Sequence, residues 1–542
     1  MNGTRTLKLP ATLDAAVNDS VDKDSAVKNT VATRPLWIAV LLAAASGAVM
    51  DAGFPSLGWW PLTFVGIGVF LVSIRGRRAG GAFLVGFIGG LVYYLVQISW
   101  AALFLGPVPL TALSTLEALF VGAGAVLMCL AYRLVPRVWT SRLGRLGFLP
   151  AIIACLWVLR EAVAGSWPYG GFSWARVAES QSQSPFASLF SWIGISGVSF
   201  VMVFLVALAL ESWEYRSIAV QPRVVLVVGA TALALIVPAF PIALHGSTTV
   251  AAVQGDGPAG YFDPHDYGDL LAAQFKATTP LFDTKRKIDM VIWPEGASDI
   301  DPVAADKAPD EDAAATEFDD VSRKLHAPLL AGTIQHRGSR YYNTSLLWEA
   351  GRGAVDHYDK KHPVPFGEYV PDRAFWRALA PSLIDLIGRD YTPGTTSTVF
   401  NVNGVIAGID ICFDITDDGV MRDSIRSGAQ ILIAQTNNAD FGHTDESVQQ
   451  LAIARIRAME LGRTLVNDST VGTTAIVLPD GSTVAQLPTY KPGALMATVP
   501  LSNTITPATG WGQPLELLAE LVGLGGLIIA MFLARKKRQS QP

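Results

Sequence analysis

The chain is 542 residues long, half of them hydrophobic and only 16% charged, with a mean hydropathy of +0.35. Soluble globular chains carry about a quarter charged residues, so this composition excludes a disordered chain and argues against an ordinary soluble enzyme. A net charge of −5 gives no basic footprint for nucleic acid, and three scattered cysteines (Cys129, Cys155, Cys412) suit neither a disulfide framework nor a zinc site.

Residues 1–33 are polar and mixed in charge, and read as a disordered tail, not a signal peptide. Residues 34–244 read as bilayer material: 34 of the 46 acidic residues fall instead in 245–514. A span needs about 17–25 apolar residues. That length predicts seven spans at roughly 36–53, 57–74, 80–104, 109–132, 147–165, 187–210 and 223–244, and an eighth at 515–534. Within them Cys129 and Cys155 read as core, Glu117 as a polar contact inside the bundle and Trp59-Trp60 as an interfacial belt. Arg160-Glu161 reads either as a snorkelling pair or as a functional one.

Basic residues fix an orientation. Arg75, Arg77 and Arg78, then Arg133, Arg137, Arg142 and Arg145, then Arg216 and Arg223, and finally the tail at 535–542 all fall on one side of an eight-span bundle. The alternate loops at 54–56 and 105–108 carry none, and 166–186 only Arg176. Because Lys and Arg gather on the cytoplasmic side, both termini are expected there and the domain at 245–514 outside.

That domain alternates short β-branched strands with polar helical stretches. Strands are predicted at Thr249–Val253, Met290–Trp293, Pro328–Ala331, Thr344–Trp348, Val405–Ile411, Ile431–Ala434 and Ala475–Leu478, and a helix at about 446–463. The mixture fits an α/β or α-β-β-α sandwich; no histidine has metal-ligand spacing and no phosphate loop is present. Three polar residues stand where buried strands end: Glu295 in Trp293-Pro294-Glu295, Lys360 in Tyr358-Asp359-Lys360-Lys361-His362, and Cys412 after Val405–Ile411. A carboxylate that takes the thiol proton, a thiolate that attacks and an ammonium that steadies the oxyanion suffice for acyl transfer. By themselves a strand-end cysteine and lone charged residues are more often structural.

The longest motif is Tyr358-Asp359-Lys360-Lys361-His362-Pro363-Val364-Pro365-Phe366-Gly367-Glu368-Tyr369-Val370-Pro371. With Tyr341-Tyr342-Asn343-Thr344, Ile411-Cys412-Phe413-Asp414, Thr436-Asn437-Asn438-Ala439-Asp440-Phe441-Gly442 and Gln450-Leu451-Ala452, it resembles the carbon-nitrogen hydrolase (nitrilase) superfamily. Gly171-Phe172-Ser173-Trp174, Ser184-Pro185-Phe186 and Gly197-Val198-Ser199-Phe200 extend the likeness to its membrane-embedded apolipoprotein N-acyltransferase family. The resemblance implies a polytopic α-helical membrane bundle of about eight spans carrying an extracytoplasmic α-β-β-α nitrilase-like sandwich. Glu295 matches the general base, Lys360 the oxyanion-stabilising lysine, Cys412 the nucleophile and Glu368 a glutamate that holds the base and lysine. Asn343, Phe413 and Asp414 match supporting positions.

Two departures stand out: Asp414 where many members have Glu, and Asn438 and Asp440 where Asp and Trp are common. The implied reaction carries an acyl chain from a membrane phospholipid, through a Cys412 thioester, to the N-terminal diacylglyceryl-cysteine of an apolipoprotein at the bacterial cytoplasmic membrane. No cofactor, metal or nucleic acid is implied. A membrane-tethered amidase and a degenerate scaffold for another membrane enzyme are the alternatives; a transporter fits poorly with spans so short of charge.

Overall fold

The computed structural model describes residues 34–215, 219–303 and 309–539. The tail predicted at 1–33, Arg216 and the side chain of Arg538 lie outside the described residues. Helices α1 (Leu36–Asp51), α2 (Pro61–Ile74), α3 (Ala79–Gln97), α4 (Pro107–Val138), α5 (Leu149–Ala164), α6 (Phe190–Glu214) and α7 (Val220–Leu235) come first, and α12 (Pro507–Gln539) closes the chain. Among the described residues, five segments are long and apolar enough to cross a membrane: Ala79–Gln97, Pro107–Val138, Gly144–Ala164, Ala187–Glu214 and Pro507–Lys537. α1, α2 and α7 are apolar but shorter.

The segment predicted at 223–244 overruns its helix. Pro238 and Pro241 cannot donate backbone hydrogen bonds, so α7 stops at Leu235, and Leu244 already pairs with Ser502 in a sheet. The helices approach backbone to backbone. A Cβ at Gly86 would lie 2.4 Å from that of Ala125, and one at Gly47 would lie 2.7 Å from the Tyr93 nitrogen. Without water to expel, such small-residue contacts are what hold membrane helices together.

Among the described residues the chain between α7 and α12 forms two six-stranded sheets. One runs β12-β1-β2-β3-β4-β5, from β1 (Leu244–Gln254), β2 (Met290–Ile292), β3 (Leu329–Arg337), β4 (Arg340–Glu349), β5 (Gly353–Asp359) and β12 (Gly493–Ser502). The other runs β11-β10-β9-β8-β7-β6, from β6 (Val399–Val402), β7 (Val405–Ile411), β8 (Ile431–Thr436), β9 (Thr464–Ser469), β10 (Ala475–Val477) and β11 (Thr483–Gln486). The central pairs β1–β2–β3 and β7–β8–β9 are parallel and the flanking pairs antiparallel.

Strand alternation builds the layers. Val250, Ala252, Met290 and Ile292 face Ile409, Ile411, Ile431 and Ile433 between the sheets. Their neighbours Ala251, Val253, Val291 and Trp293 turn outward onto α8 (Asp269–Thr278) and α9 (Pro309–Leu325). On the opposite side Leu432 and Ala434 meet α10 (Asp418–Arg426) and α11 (Glu446–Leu461). That outer layer belongs to the same continuous core as the helix bundle. The sandwich is thus α-β-β-α, as predicted, with one outer layer fused to the bundle.

Contacts sort the two ends of the bundle. Arg75 pairs with Glu211 and Glu214, Arg145 with Glu211, and the Lys537 ammonium donates to the Arg137 carbonyl at 3.2 Å. At the other end Trp100 and Trp174 both donate to Gln449 of α11, at 3.1 and 2.9 Å. Arg176 grips Asp418 of α10 with two nitrogens.

Candidate active site

Glu295, Lys360 and Cys412 converge because each follows a strand that ends at the same edge. Glu295 lies three residues past β2, while Lys360 and Cys412 follow β5 and β7 directly. Cys412 has φ +53°, in the left-handed region that few non-glycine residues adopt. The strand-to-turn bend there throws its thiol out of the sheet. The Glu295 carboxylate accepts from Asn343 Nδ2 at 2.7 Å and from Lys360 Nζ at 3.4 Å through one oxygen. Its other oxygen accepts from the Asn437 backbone N–H at 2.8 Å. Lys360 also pairs with Glu368 at 2.8 Å, and Glu368 accepts from Asn343 and from the Val364 N–H. The ammonium is thus held between two carboxylates, with Asn343 bridging them.

Burial dominates the electrostatics. It pushes the Cys412 thiol well above its ordinary value; Glu295 adds to that push and Lys360 opposes it. Burial likewise raises the Glu295 carboxyl, against the pull of Lys360. For Lys360 burial would favour the neutral amine, but Glu295 and Glu368 outweigh it and hold the ammonium well above the usual lysine range. The site thus sets a thiol whose ionisation burial opposes beside the Glu295–Lys360 pair. That set can take the thiol proton when an electrophile arrives and neutralise the charge that develops on it.

The trio opens into a cavity of about 1480 Å³. Its walls come from both halves of the molecule: Leu105, Val108, Leu113 and Leu116 from the bundle side, and Tyr261, Phe366 and Ile387 from the domain. Phe413, beside the nucleophile, stacks on Phe172 with ring centroids 6.1 Å apart.

Each predicted site residue has a place here; Lys361, which the Tyr-x-Lys-x-His spacing passes over in favour of Lys360, donates its backbone N–H to Asp414 at 3.3 Å. Asp414 is fully buried and accepts from the Tyr358 hydroxyl at 2.7 Å and the His362 N–H at 2.8 Å, so the shorter carboxylate still pins the turn that carries Lys360. Asn438 joins Glu446 and Gln450 of α11, both at 2.7 Å. Asp440 accepts from the Tyr261 N–H at 2.6 Å at the cavity wall. Gln450, in turn, donates to the Cys412 sulfur at 3.8 Å.

Asn437 and Gln450 stood in quoted motifs with no role given to them, and Glu446 was not singled out by the sequence. The available signal was the helix predicted from 446, whose first residue and its i+4 neighbour share a face. In the bundle Arg160 and Glu161 are buried, not snorkelling: Glu161 accepts from Trp157 at 2.9 Å and from the Val177 N–H at 3.1 Å. Glu117 is buried against Tyr94 and Arg160, as a polar contact within the bundle.

Comparison with known proteins covers both halves. The family described as apolipoprotein N-acyltransferase N-terminal domain matches residues 46–208, and carbon-nitrogen hydrolase matches 249–506. An apolipoprotein N-acyltransferase of Mycolicibacterium smegmatis is 31% identical over 90% of this chain and 84% of its own. Relatives of the same name from Shewanella oneidensis and Azotobacter vinelandii are each 28% identical, over 92% and 94% of this chain and 96% and 97% of theirs. With a bundle, a nitrilase-like α/β domain and a closing helix in one chain, the protein belongs to the apolipoprotein N-acyltransferase family.

Proposed function

We propose that the chain is an N-acyltransferase that moves an acyl group from a membrane phospholipid to the N-terminal diacylglyceryl-cysteine of apolipoproteins, in two steps through Cys412. In the first, Glu295 takes the thiol proton and the sulfur attacks the ester carbonyl. The carbon–oxygen bond breaks, Glu295 returns the proton to the leaving alkoxide, and a lysophospholipid departs from the thioester. In the second, the acceptor's α-amine attacks the thioester, an amide forms, and the thiol is restored. Lys360 neutralises the oxyanion in both steps.

The observation that carries this reading is the position of the Glu295–Lys360–Cys412 group at an apolar cavity shared by domain and bundle. Both substrates are bilayer-anchored, and extracting an acyl chain costs about 0.8 kcal/mol per CH₂. A thiol that opens toward the helices avoids that extraction. The proposed division is a tail at 1–33, a seven-span region at 34–244, the catalytic domain at 245–514, a closing span at 515–534 and a basic tail at 535–542. The proposed orientation sets the domain on the outer face of the bacterial cytoplasmic membrane with both termini inside.

Single-turnover labelling with a phospholipid bearing a fluorescent acyl chain tests the chemistry. Label should appear on Cys412 and transfer to a diacylglyceryl-cysteine peptide. Cys412→Ala should abolish both events, and Lys360→Ala should slow the first by about 10²–10³. Lys361→Ala should leave it nearly unchanged. Full labelling in Cys412→Ala, or equal losses in the two lysine variants, would overturn the assignment.

A further inference from the structure

A second carboxyl shares the cavity with the nucleophile and the base-lysine pair. Glu446 opens α11, is 2% exposed, and lines the cavity together with Cys412, Glu295 and Asp440. One of its oxygens is fixed by Asn438 Nδ2 at 2.7 Å; among the described residues the other accepts no hydrogen bond. The same Asn438 nitrogen holds Gln450, one turn further along α11, whose amide touches the Cys412 sulfur. Glu446 is thereby tied to the thiol through two side chains. Glu295 is more committed: one oxygen serves Asn343 and Lys360, and the other the Asn437 N–H.

We propose that Glu446 receives the acceptor's α-amine, holding it by its free oxygen and exchanging a proton with it beside the Cys412 thioester. This rests on the acyl-transfer reading above and divides its labour: Glu295 serves the thiol, Glu446 the amine. An N-terminal amine has a pKa of about 7.7–8.0, so near neutrality it arrives mostly as an ammonium, which cannot attack. Burial pushes the Glu446 carboxyl up to about 8, against the pull of Asn438 and with help from Glu295 and Asp440. Cys412 and Tyr490 also face it.

Acid and amine are therefore matched: the docked ammonium favours the ionised carboxyl, the acid's proton leaves to solvent, and the ammonium's proton then passes to Glu446 at little cost. The ammonium gives one proton to the Glu446 carboxylate, and the amine nitrogen bonds the thioester carbon. The carbon–sulfur bond breaks and the remaining surplus N–H proton returns to the sulfur. Glu446 is left protonated, as it was before the amine docked.

Glu446→Gln keeps the shape and the bond from Asn438 but not the proton acceptor. The full-length protein in detergent is acylated with the fluorescent phospholipid, and a diacylglyceryl-cysteine peptide is then added across pH 6–10. Thioester formation should stay within about twofold of the unsubstituted protein, whereas aminolysis near neutrality should fall by about 10². The deficit should shrink above pH 8, where the amine arrives neutral. Glu446→Asp should recover part of the loss.

Equal slowing of both half-reactions, or an aminolysis deficit that does not change with pH, would overturn the assignment to Glu446. So would unchanged aminolysis at every pH. Failure of the unsubstituted protein to form a thioester would instead overturn the acyl-transfer reading itself.

Discussion

At Cys412 a left-handed backbone is held from both sides. β7 fixes the approach, and Asp414, two residues later, ties the following turn to Tyr358 and His362. Such a conformation costs about 1–3 kcal/mol and persists only where the surroundings impose it. Asp414→Ala should therefore act twice. It strands the buried Tyr358 hydroxyl, for a loss of about 1–3 kcal/mol by thermal unfolding, and it frees the turn carrying Lys360, so thioester formation should slow with it.

The pH profile of thioester formation tests Glu295 directly. Burial raises its carboxyl above the ordinary 4.5, so the acid limb should lie above that value. Lys360 pulls that carboxyl down, so in Lys360→Met the limb should move further up, and a downward move would refute the pairing. Glu295 and Cys412 were legible because each follows an apolar strand, whereas Lys360 was legible only through the motif at 358–371. Glu446 was not, since nothing in the sequence tells a cavity-facing carboxylate from an ordinary first-turn helix acid.

Among the elements, α10 and α11 carry the joint between domain and bundle. Arg176 from the 166–186 loop and Arg457 of α11 share Asp418, and Arg457 also holds Glu460. Asp418→Asn would leave two guanidiniums without that counter-charge. Breaking a buried pair costs about 3–5 kcal/mol, and because a quarter of the Asp418 side chain meets solvent the loss should fall at the low end.

Burial alone would raise the Asp418 carboxyl, but Arg176 and Arg457 outweigh it and hold it well below the ordinary carboxylate range. A carboxyl depressed by folding contributes stability above its unfolded pKa of about 3.9 and loses it as the pH falls toward the folded value. Unfolding temperatures of the native chain and Asp418→Asn should differ at neutral pH and converge only below about pH 4.

Nearby, Gly194 interrupts α6 at φ +66°, and a Cβ there would lie 2.8 Å from the Glu460 carboxylate. Gly194→Ala should loosen the same joint. Elements with a clean apolar period were legible: β7 was predicted residue for residue, and α11 to within two. β9 was not, because Asn467, Asp468 and Ser469 are polar yet buried; the fold brings the Thr473 carbonyl to the Asn467 amide and the Thr474 hydroxyl to the Ser469 N–H. β5, which delivers Lys360, was hidden by Asp356 and His357.

For the whole molecule, the loop charges predict that a reporter fused after Ser247 reads as external and one after Gln539 as cytoplasmic. An impermeant thiol reagent should reach Cys412 and neither Cys129 nor Cys155, both buried in helices. Identical sidedness of the two reporters would refute the proposed orientation. Among the described residues each predicted span meets an apolar helix, but only five are long enough to cross a membrane, and prolines and tertiary pairing, not apolarity, end α7. One consequence follows from the chain's route. It leaves the bundle at Leu235, completes the whole sandwich, and returns at Pro507 as α12. There Gly523 and Gly526 seat against Cys155 and Ile152 of α5, while Leu527 and Ala530 enter the bundle's core. The bundle is thus unfinished until translation has passed the last strand of the domain. During synthesis its flank on α5 stays uncovered, and a chain cut short anywhere between α7 and Ala530 loses part of that wall along with its tail.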